Sequence, residues 1–349
     1  MAAWLLCDEL ANLGCKISIF SPQGLQVGSG QLPASVKVIS AIIKRGCRWK
    51  VPEKTLTWQV NLSAFKNRPA FIFVIGMTYL TGKLLSLRLS SSLVIWETTM
   101  ANPGNKFVDP QAVRRLHKCR AMLSPSKAVD DGIRETYGFE GPIIRLPFWV
   151  KEYSDNLNTV IDEKNHNIDF LYLGRKDEDK GIKELLLATA EVRRQRPETH
   201  IVVCGPGSDA PFLSMAKRLG LASAARFTFL RDPNDLPGLI RRCRWLILPS
   251  KHEGYPLVIL EAAQQGRPFI ATRVGSIPEI CQNTQAAIII PPNDEHSLCE
   301  AMLKALSESE TDYKSRGDAA HSLFLEVSGA DIVNANLRTV IEQLIALKL

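Results

Sequence analysis

Residues 245–262 read Trp-Leu-Ile-Leu-Pro-Ser-Lys-His-Glu-Gly-Tyr-Pro-Leu-Val-Ile-Leu-Glu-Ala. The apolar run Trp245–Leu248 has the composition of a strand covered on both faces. Pro249 and Gly254 break it. Pro256 then stands where the first helical turn should begin, a place proline tolerates because the N–H it lacks would be unpaired there anyway. Strand, glycine turn and helix in direct succession are the repeating unit of a parallel sheet with crossover helices. The free N–H groups of Leu257 and Val258 make such a helix start an anion site. Glu253 precedes the turn, and Glu261 falls about five residues into the helix, where capping cannot account for it. A carboxylate accepts hydrogen bonds well from vicinal hydroxyls, so phosphate on the helix start and ribose on Glu261 describe a nucleotide site.

Outward from this stretch the alternation continues. Strands are predicted at Ile168–Leu173, His200–Cys204, Arg226–Leu230, Pro268–Thr272 and Ala287–Ile290. Helices are predicted at Ile182–Arg194, Pro211–Leu219, Leu236–Cys243, Pro256–Gln265, Ser297–Leu306 and Ile332–Leu347. The N-terminal half repeats the theme, with a helix at Trp4–Leu13, strands at Cys15–Phe20, Phe71–Ile75, Leu93–Trp96, Ala121–Ser124 and Ile143–Leu146, and a helix at Ala128–Thr136. A chain of 349 residues has room for two domains of roughly 150 each. The expected organisation is an N-terminal Rossmann-like domain over 1–150, a polar linker over 151–167, a second such domain over 168–330, and a C-terminal helix over 331–349 that packs back on the N-terminal domain. The fold class is α/β: two doubly wound, Rossmann-like parallel-sheet domains facing a cleft.

Ligands in such sheets bind beyond the carboxyl ends of the strands, and two more strand ends are unusual. After Leu173 comes Gly174-Arg175-Lys176-Asp177-Glu178-Asp179-Lys180-Gly181. Glycine there allows close approach to the backbone, and Arg and Lys suit phosphate oxygens. After Cys204 comes Gly205-Pro206-Gly207, a loose match to a dinucleotide fingerprint and equally a plain tight turn.

Glu253, seven residues, then Glu261, within Glu-Gly-Tyr-Pro-Leu-Val-Ile-Leu-Glu-Ala, resembles the signature of retaining glycosyltransferases of family 4, which have the GT-B fold. Gly174-Arg175 with Lys180-Gly181, Gly205-x-Gly207, and Gly275-Ser276-Ile277-Pro278-Glu279 resemble that family's other donor-side segments, Ser276 replacing a second Gly. The resemblance covers about residues 120–330. It implies that Glu261 holds the ribose, Glu253 a hydroxyl of the donor sugar, and Arg175 and Lys180 the diphosphate. Catalytic roles fall to Glu253, Arg175 and Lys180. Gly174, Gly205, Gly254, Tyr255, Pro256, Leu257 and Val258 complete the donor-binding set. It also implies no obligatory metal or other cofactor, and front-face displacement with retention. Asp177-Glu178-Asp179 matches an Asp-x-Asp metal pattern of a different fold, but its place before a helix reads as solvated N-terminal acids. Gly76–Lys83 fails as a phosphate loop, because its glycine spacing is wrong and Leu84 replaces the required Ser or Thr. Members often carry a His at an N-domain strand end, where this chain has Glu97-Thr98-Thr99, and His117 reads as a surface residue. Members also open with a strand and a Gly-rich loop. Here the chain opens on the helix Trp4–Leu13, so the N-terminal domain is expected to lack its first strand, and an upstream extension of about 10–20 residues is expected to supply it.

Composition bounds the rest. With 45% hydrophobic and 23% charged residues the chain is globular, and no stretch has the length and apolarity of a membrane span. No basic leader precedes the first helix. Eight scattered cysteines with no Cys-x-x-Cys pair argue against thiolate zinc and fit a reducing, cytoplasmic compartment. The net charge of +7 divides into +10 for residues 1–150 and −3 for the remainder. That basic excess suits the anionic cytoplasmic face of a membrane. Nucleic acid is not expected, since the basic residues are not interleaved with aromatics. The expected function is transfer of a sugar from a nucleoside diphosphate sugar to a glycan, lipid-linked or other acceptor, in polysaccharide or glycoconjugate biosynthesis. Alternatives are a nucleotide-sugar epimerase, an NAD-type dehydrogenase (for which Asp232 is poorly placed to hold a ribose), or a degenerate nucleotide-sugar-binding protein.

Overall fold

Side chains alternate across a strand, so a strand apolar at every position must be covered on both faces. The computed structural model realises this in two parallel-sheet units. It describes residues 10, 17–21, 36–40, 71–75, 77, 81, 84–86, 92–97, 108–150, 152, 167–221, 227–230 and 235–347. The chain divides into Met1–Phe148 together with Val333–Leu349, and Trp149–Ile332.

In the first unit β1 (Ile17–Ser21) pairs in parallel with β2 (Val36–Ser40), Ile17 opposite Val36. A four-stranded parallel sheet follows in the order β3 (Ile72–Ile75), β4 (Leu93–Trp96), β5 (Ala121–Ser124), β6 (Ile143–Arg145). Every residue of β4 and β5 is buried. Helix α1 (Pro110–Arg115) leads into a 3₁₀ turn at Leu116–Lys118. Helix α2 (Lys127–Tyr137) shows why its sequence stops and starts where it does. The Ser126 hydroxyl accepts from the Val129 N–H, Gly138 closes the helix at φ 61°, and Val129, Ile133 and Tyr137 bury one face at four-residue spacing. Of the predicted helix Trp4–Leu13 only Leu10 is described, helical and buried. The predicted linker lies outside the described residues except Glu152 and Asn167.

The second unit carries β7 (Ile168–Leu173), α3 (Ile182–Gln195), β8 (Ile201–Cys204), α4 (Ala210–Arg218), β9 (Phe227–Leu230) and α5 (Leu236–Arg241). Then come β10 (Cys243–Leu248), α6 (Leu257–Gln264), β11 (Phe269–Thr272), α7 (Ile277–Ile280) and β12 (Ala287–Ile290), and finally α8 (Glu295–Leu306), α9 (Glu310–Ser328) and α10 (Ala330–Ala346). The six strands run parallel in the order β12-β11-β10-β7-β8-β9. Order reverses between β7 and β10, the doubly wound arrangement whose crevice opens at that point. Leu171, Leu246 and Leu248 face one core with Leu260 and Phe324, while Phe170, Tyr172, Trp245 and Ile247 face the other with Leu186 and Met302. Alternation within β7 and β10 therefore builds both layers at once.

Several elements differ from the sequence reading. The helix predicted to Cys243 ends at Arg241, because Cys243 is a buried strand residue opposite Ile168. Helix α8 begins at Glu295, two residues earlier than expected, since the Asp294 carboxylate accepts from the Ser297 N–H. Helix α9 was not anticipated. Its Lys314-Ser315-Arg316-Gly317-Asp318 stretch breaks the apolar period, yet the small Gly317 and Ala320 are buried with Phe324 along its core face. No helix among the described residues is long and apolar enough to cross a membrane.

Trp245 is 1% exposed, 6.4 Å from the Tyr313 ring and capped by the Arg316 guanidinium at 5.7 Å. Trp245→Ala is expected to lower stability by about 3–5 kcal/mol through the cavity left behind, measured as a shift in urea midpoint. Arg316→Ala should cost about 1 kcal/mol. A small shift for Trp245→Ala would show that this core layer closes around the void.

Candidate functional site

The loops leaving β7 and β10 meet where the strand order reverses, and glycine permits the contact. Gly181 has φ 69°, and a Cβ there would overlap the carbonyl oxygen of Pro249. Gly275, after β11, has φ 53°, and its Cβ would overlap the carbonyl oxygen of Glu253. The Pro249–Glu253 loop is thus held between two glycines that no other residue could replace without moving it. The Lys251 N–H donates to Asp179 O at 2.8 Å, and the Thr272 hydroxyl to Ser250 O at 2.6 Å, fixing the same loop from both sides. After β8, Gly205 lies against the Gly174 carbonyl in the same way. Gly174 N–H donates to Cys204 O at 3.0 Å, and Lys176 N–H to Pro206 O at 2.8 Å.

On this frame Lys180 and Glu253, 73 residues apart in sequence, come together. Lys180 Nζ lies 2.6 Å from Glu253 Oε1, with the side chains 15% and 11% exposed. The Ser250 hydroxyl donates to the same oxygen at 2.7 Å, and Lys180 Nζ is 3.5 Å from His252 O. Arg175 does not join this pair. Its side chain is exposed and engages Asp177 at 2.8 Å. Asp177 is therefore the partner of Arg175, and the Glu178–Lys180 turn follows it as 3₁₀ helix.

Two groups near the site have roles that the sequence reading does not give them. Lys176 reads as a second phosphate cation, but its side chain is fully buried and its ammonium lies 2.6 Å from Asp209 Oδ1, tying the β7 loop to the start of α4. Nothing local marks a lysine as inward-facing when its partner is so distant in sequence. Tyr172 donates its hydroxyl to Arg175 O at 2.6 Å. Burial first, then the carboxylates of Asp177 and Glu253, push its phenol pKa up, so it stays a neutral donor.

Helix α6 starts at Leu257, with Pro256 as N-cap instead of the first helical residue, and no side chain caps it. Tyr255, Leu257 and Val258 are half-buried and lean on the core beneath, and Gly254 is half-buried in the turn before them. Glu261 is half-buried on α6, with no hydrogen-bond or ion-pair partner among the described residues. Desolvation pushes its pKa up. An uncapped helix start, a partly shielded lysine and a half-buried carboxylate with no protein partner among the described residues suit a ligand that carries phosphate and hydroxyl groups.

In the first unit Glu97 is fully buried at the end of β4, its N–H donating to Leu123 O at 3.0 Å. The Tyr137 hydroxyl donates to Glu97 Oε2 at 3.3 Å, and desolvation followed by the Glu97 charge pushes that phenol up. Thr98, Thr99, Gly76, Lys83 and Asp232 lie outside the described residues, and His117 is exposed.

The raised pKa of Glu261 has a defined sign. Folding favours its neutral form, so that contribution is full below the unfolded-state carboxylate pKa of about 4.3 and is lost as pH rises through the higher folded value. Glu261→Gln in the ligand-free protein is therefore expected to raise Tm at pH 7, with the gain shrinking toward pH 4. A variant less stable than the parent at pH 7 would mean that the carboxylate is satisfied in the free protein.

Residues 155–321 match the sequence model of the family described as "Glycosyl transferases group 1". A glycogen synthase of Mycobacterium tuberculosis (strain CDC 1551 / Oshkosh) is 30% identical over 141 residues, which is 40% of this chain and 34% of that protein. The chain thus matches about a third of that relative's length. Among solved structures, sucrose-phosphate synthase from Thermosynechococcus elongatus superposes with a TM-score of 0.74 at 18% identity, covering 98% of this chain and 92% of its own. Anabaena HepE, solved in complex with UDP, superposes with a TM-score of 0.70 at 15% identity over 89% of this chain and 86% of its own. Residues 155–321 are therefore similar in sequence to the group 1 glycosyl transferases, and the two parallel-sheet units have the GT-B fold.

Proposed function

We propose that the protein is a retaining glycosyltransferase of family 4, moving a hexosyl or related sugar from a nucleoside diphosphate donor to a glycan, lipid-linked or other acceptor in polysaccharide or glycoconjugate biosynthesis. The observation that carries this reading is the meeting of Lys180 and Glu253 beside the uncapped start of α6, at the reversal of strand order. HepE, whose fold is shared, was solved with UDP and glucose in one complex, a ligand chemistry that suits these groups. In the proposed reaction, the bond from the anomeric carbon to the phosphate oxygen breaks. The acceptor oxygen bonds to the same face of that carbon, and its proton passes to the leaving phosphate. Lys180, Arg175 and the α6 N-terminus stabilise the charge that develops on the diphosphate. Those groups supply the electrostatic work without a divalent metal or other cofactor. Glu261 holds the ribose, Glu253 a sugar hydroxyl, and the backbone at Gly174, Gly205 and Gly254–Val258 lines the donor. The acceptor belongs to the N-terminal unit.

The site of action in this reading is the cytoplasm, peripheral to the membrane. From Pro110 to Val129 the chain holds Arg114, Arg115, Lys118, Arg120 and Lys127 and no acidic residue. Ala112, Leu116 and Cys119 are buried, while Arg114, His117 and Lys118 are exposed. Each basic residue near an anionic lipid surface contributes about 1 kcal/mol.

Calorimetric titration with UDP, ADP and GDP is expected to show binding of at least one. Lys180→Ala should weaken it by about 1.5–3 kcal/mol and Arg175→Ala by less, because that guanidinium is more exposed. Glu261→Gln should weaken nucleoside and nucleotide alike. Unchanged affinity in all three variants would remove the glycosyltransferase reading, and loss of transfer in EDTA would remove its metal-free form. In vesicle sedimentation, Arg114→Glu with Lys118→Glu should reduce binding to anionic vesicles at low salt. Equal partitioning onto neutral and anionic vesicles would count against the membrane contact.

A further inference from the structure

The group that would hold the donor diphosphate and the group that would hold the donor sugar are bonded to each other in the ligand-free protein. Lys180 Nζ is 2.6 Å from Glu253 Oε1, and both side chains are largely shielded from water. The pair is not a loose surface contact. Ser250 Oγ donates to the same carboxylate oxygen at 2.7 Å, Gly275 packs against the Glu253 carbonyl, and Gly181 fixes the end of the turn that carries Lys180. Phosphate oxygens arriving at Lys180 compete with Glu253 for the ammonium. A carboxylate with little access to water that loses its cation is left under-satisfied, which costs free energy unless other donors replace the lost ones.

We propose that Glu253 acts as an internal competitor for Lys180, and that this competition makes the site discriminate against the bare nucleoside diphosphate in favour of the sugar-bearing donor. This rests on the donor site proposed above. With a nucleotide sugar, hydroxyl donors of the sugar take the place Lys180 leaves at Glu253, so both groups stay paired. With the nucleoside diphosphate alone, Lys180 gains phosphate while Glu253 gains nothing. Product is therefore held less tightly than its phosphate contacts alone would allow, and its release is favoured. Ser250 is a positioning residue in this scheme, since it holds the carboxylate where the competition occurs.

The test compares binding of a nucleoside diphosphate and of its glucose conjugate by calorimetry, using whichever of UDP, ADP and GDP the unaltered full chain binds most tightly. Glu253→Gln keeps the volume and removes the charge. It is expected to tighten the bare diphosphate about tenfold, the size of one charge-assisted contact, while weakening the glucose conjugate, so the preference for donor over product collapses. Glu253→Ala, which removes the competing carboxylate altogether, should move the bare diphosphate the same way and serves if Glu253→Gln does not fold, whereas Ser250→Ala, which takes a donor from the carboxylate, should weaken the bare diphosphate. In a Lys180→Met background the gain from Glu253→Gln should vanish, because nothing remains to compete for. Bare-diphosphate affinity unchanged or weaker in both Glu253→Gln and Glu253→Ala would overturn the inference, with Lys180 then serving carboxylate and phosphate at once through separate N–H groups. Failure of the unaltered protein to bind any of the three diphosphates would instead overturn the donor site itself.

Discussion

The second unit depends on how closely its strand-end loops approach one another. Where β7 and β10 lie side by side, the loop from Pro249 to Glu253 is pressed between Gly181 and Gly275, with carbonyl oxygens standing where side chains would be. A parallel sheet whose strand order reverses leaves a gap at that point, since neighbouring crossovers depart to opposite faces. The gap can hold a ligand only if its walls are rigid. Here the walls are backbone against backbone, which fixes positions without relying on rotamers. Lys180 and Glu253 inherit their placement from that contact.

The charges of this region follow two patterns that have different energetic weight. Arg175–Asp177 is exposed, and such pairs contribute little. Lys176–Asp209 and Lys180–Glu253 are shielded, and removing one partner of such a pair leaves a charge in a poor solvent. Lys176 secures one loop to the next, whereas Lys180 keeps 15% of its side chain exposed and can be approached. Neighbouring lysines on one loop thus divide into a structural fastener and a reachable cation. Glu261 differs again, being half-buried with no cation beside it among the described residues, and desolvation pushes its pKa up.

Much of this was legible in the residues alone, for identifiable reasons. Trp245–Leu248 announced a buried strand because no polar residue interrupts it, and the order strand, glycine, proline, helix around Gly254 left one topology open. Seven residues between Glu253 and Glu261 placed one carboxylate before the helix and one within it. What could not be read was set by distant partners. Whether Lys176 turns in or out depends on Asp209, and whether Lys180 stands free or paired depends on Glu253. Cys243 belongs to β10 because Ile168 lies opposite, not because of its neighbours in sequence. Helix α9 was hidden by the small and charged residues around Gly317, which make sense only once the surface they pack on is known.

Helix α10 has a consequence for the order in which the protein is made. It starts in the second unit, and from Val333 onward belongs to the first, with Val333, Leu337, Val340 and Leu344 buried. The second unit is a single continuous stretch of chain and has all its residues once Ile332 has left the ribosome. The first unit begins synthesis earlier but lacks the buried residues Val333, Leu337, Val340 and Leu344 until α10 has been made. N-terminal domains generally complete folding first during synthesis; here the chain reverses that sequence. The first unit must therefore wait for a helix encoded downstream of the whole second unit.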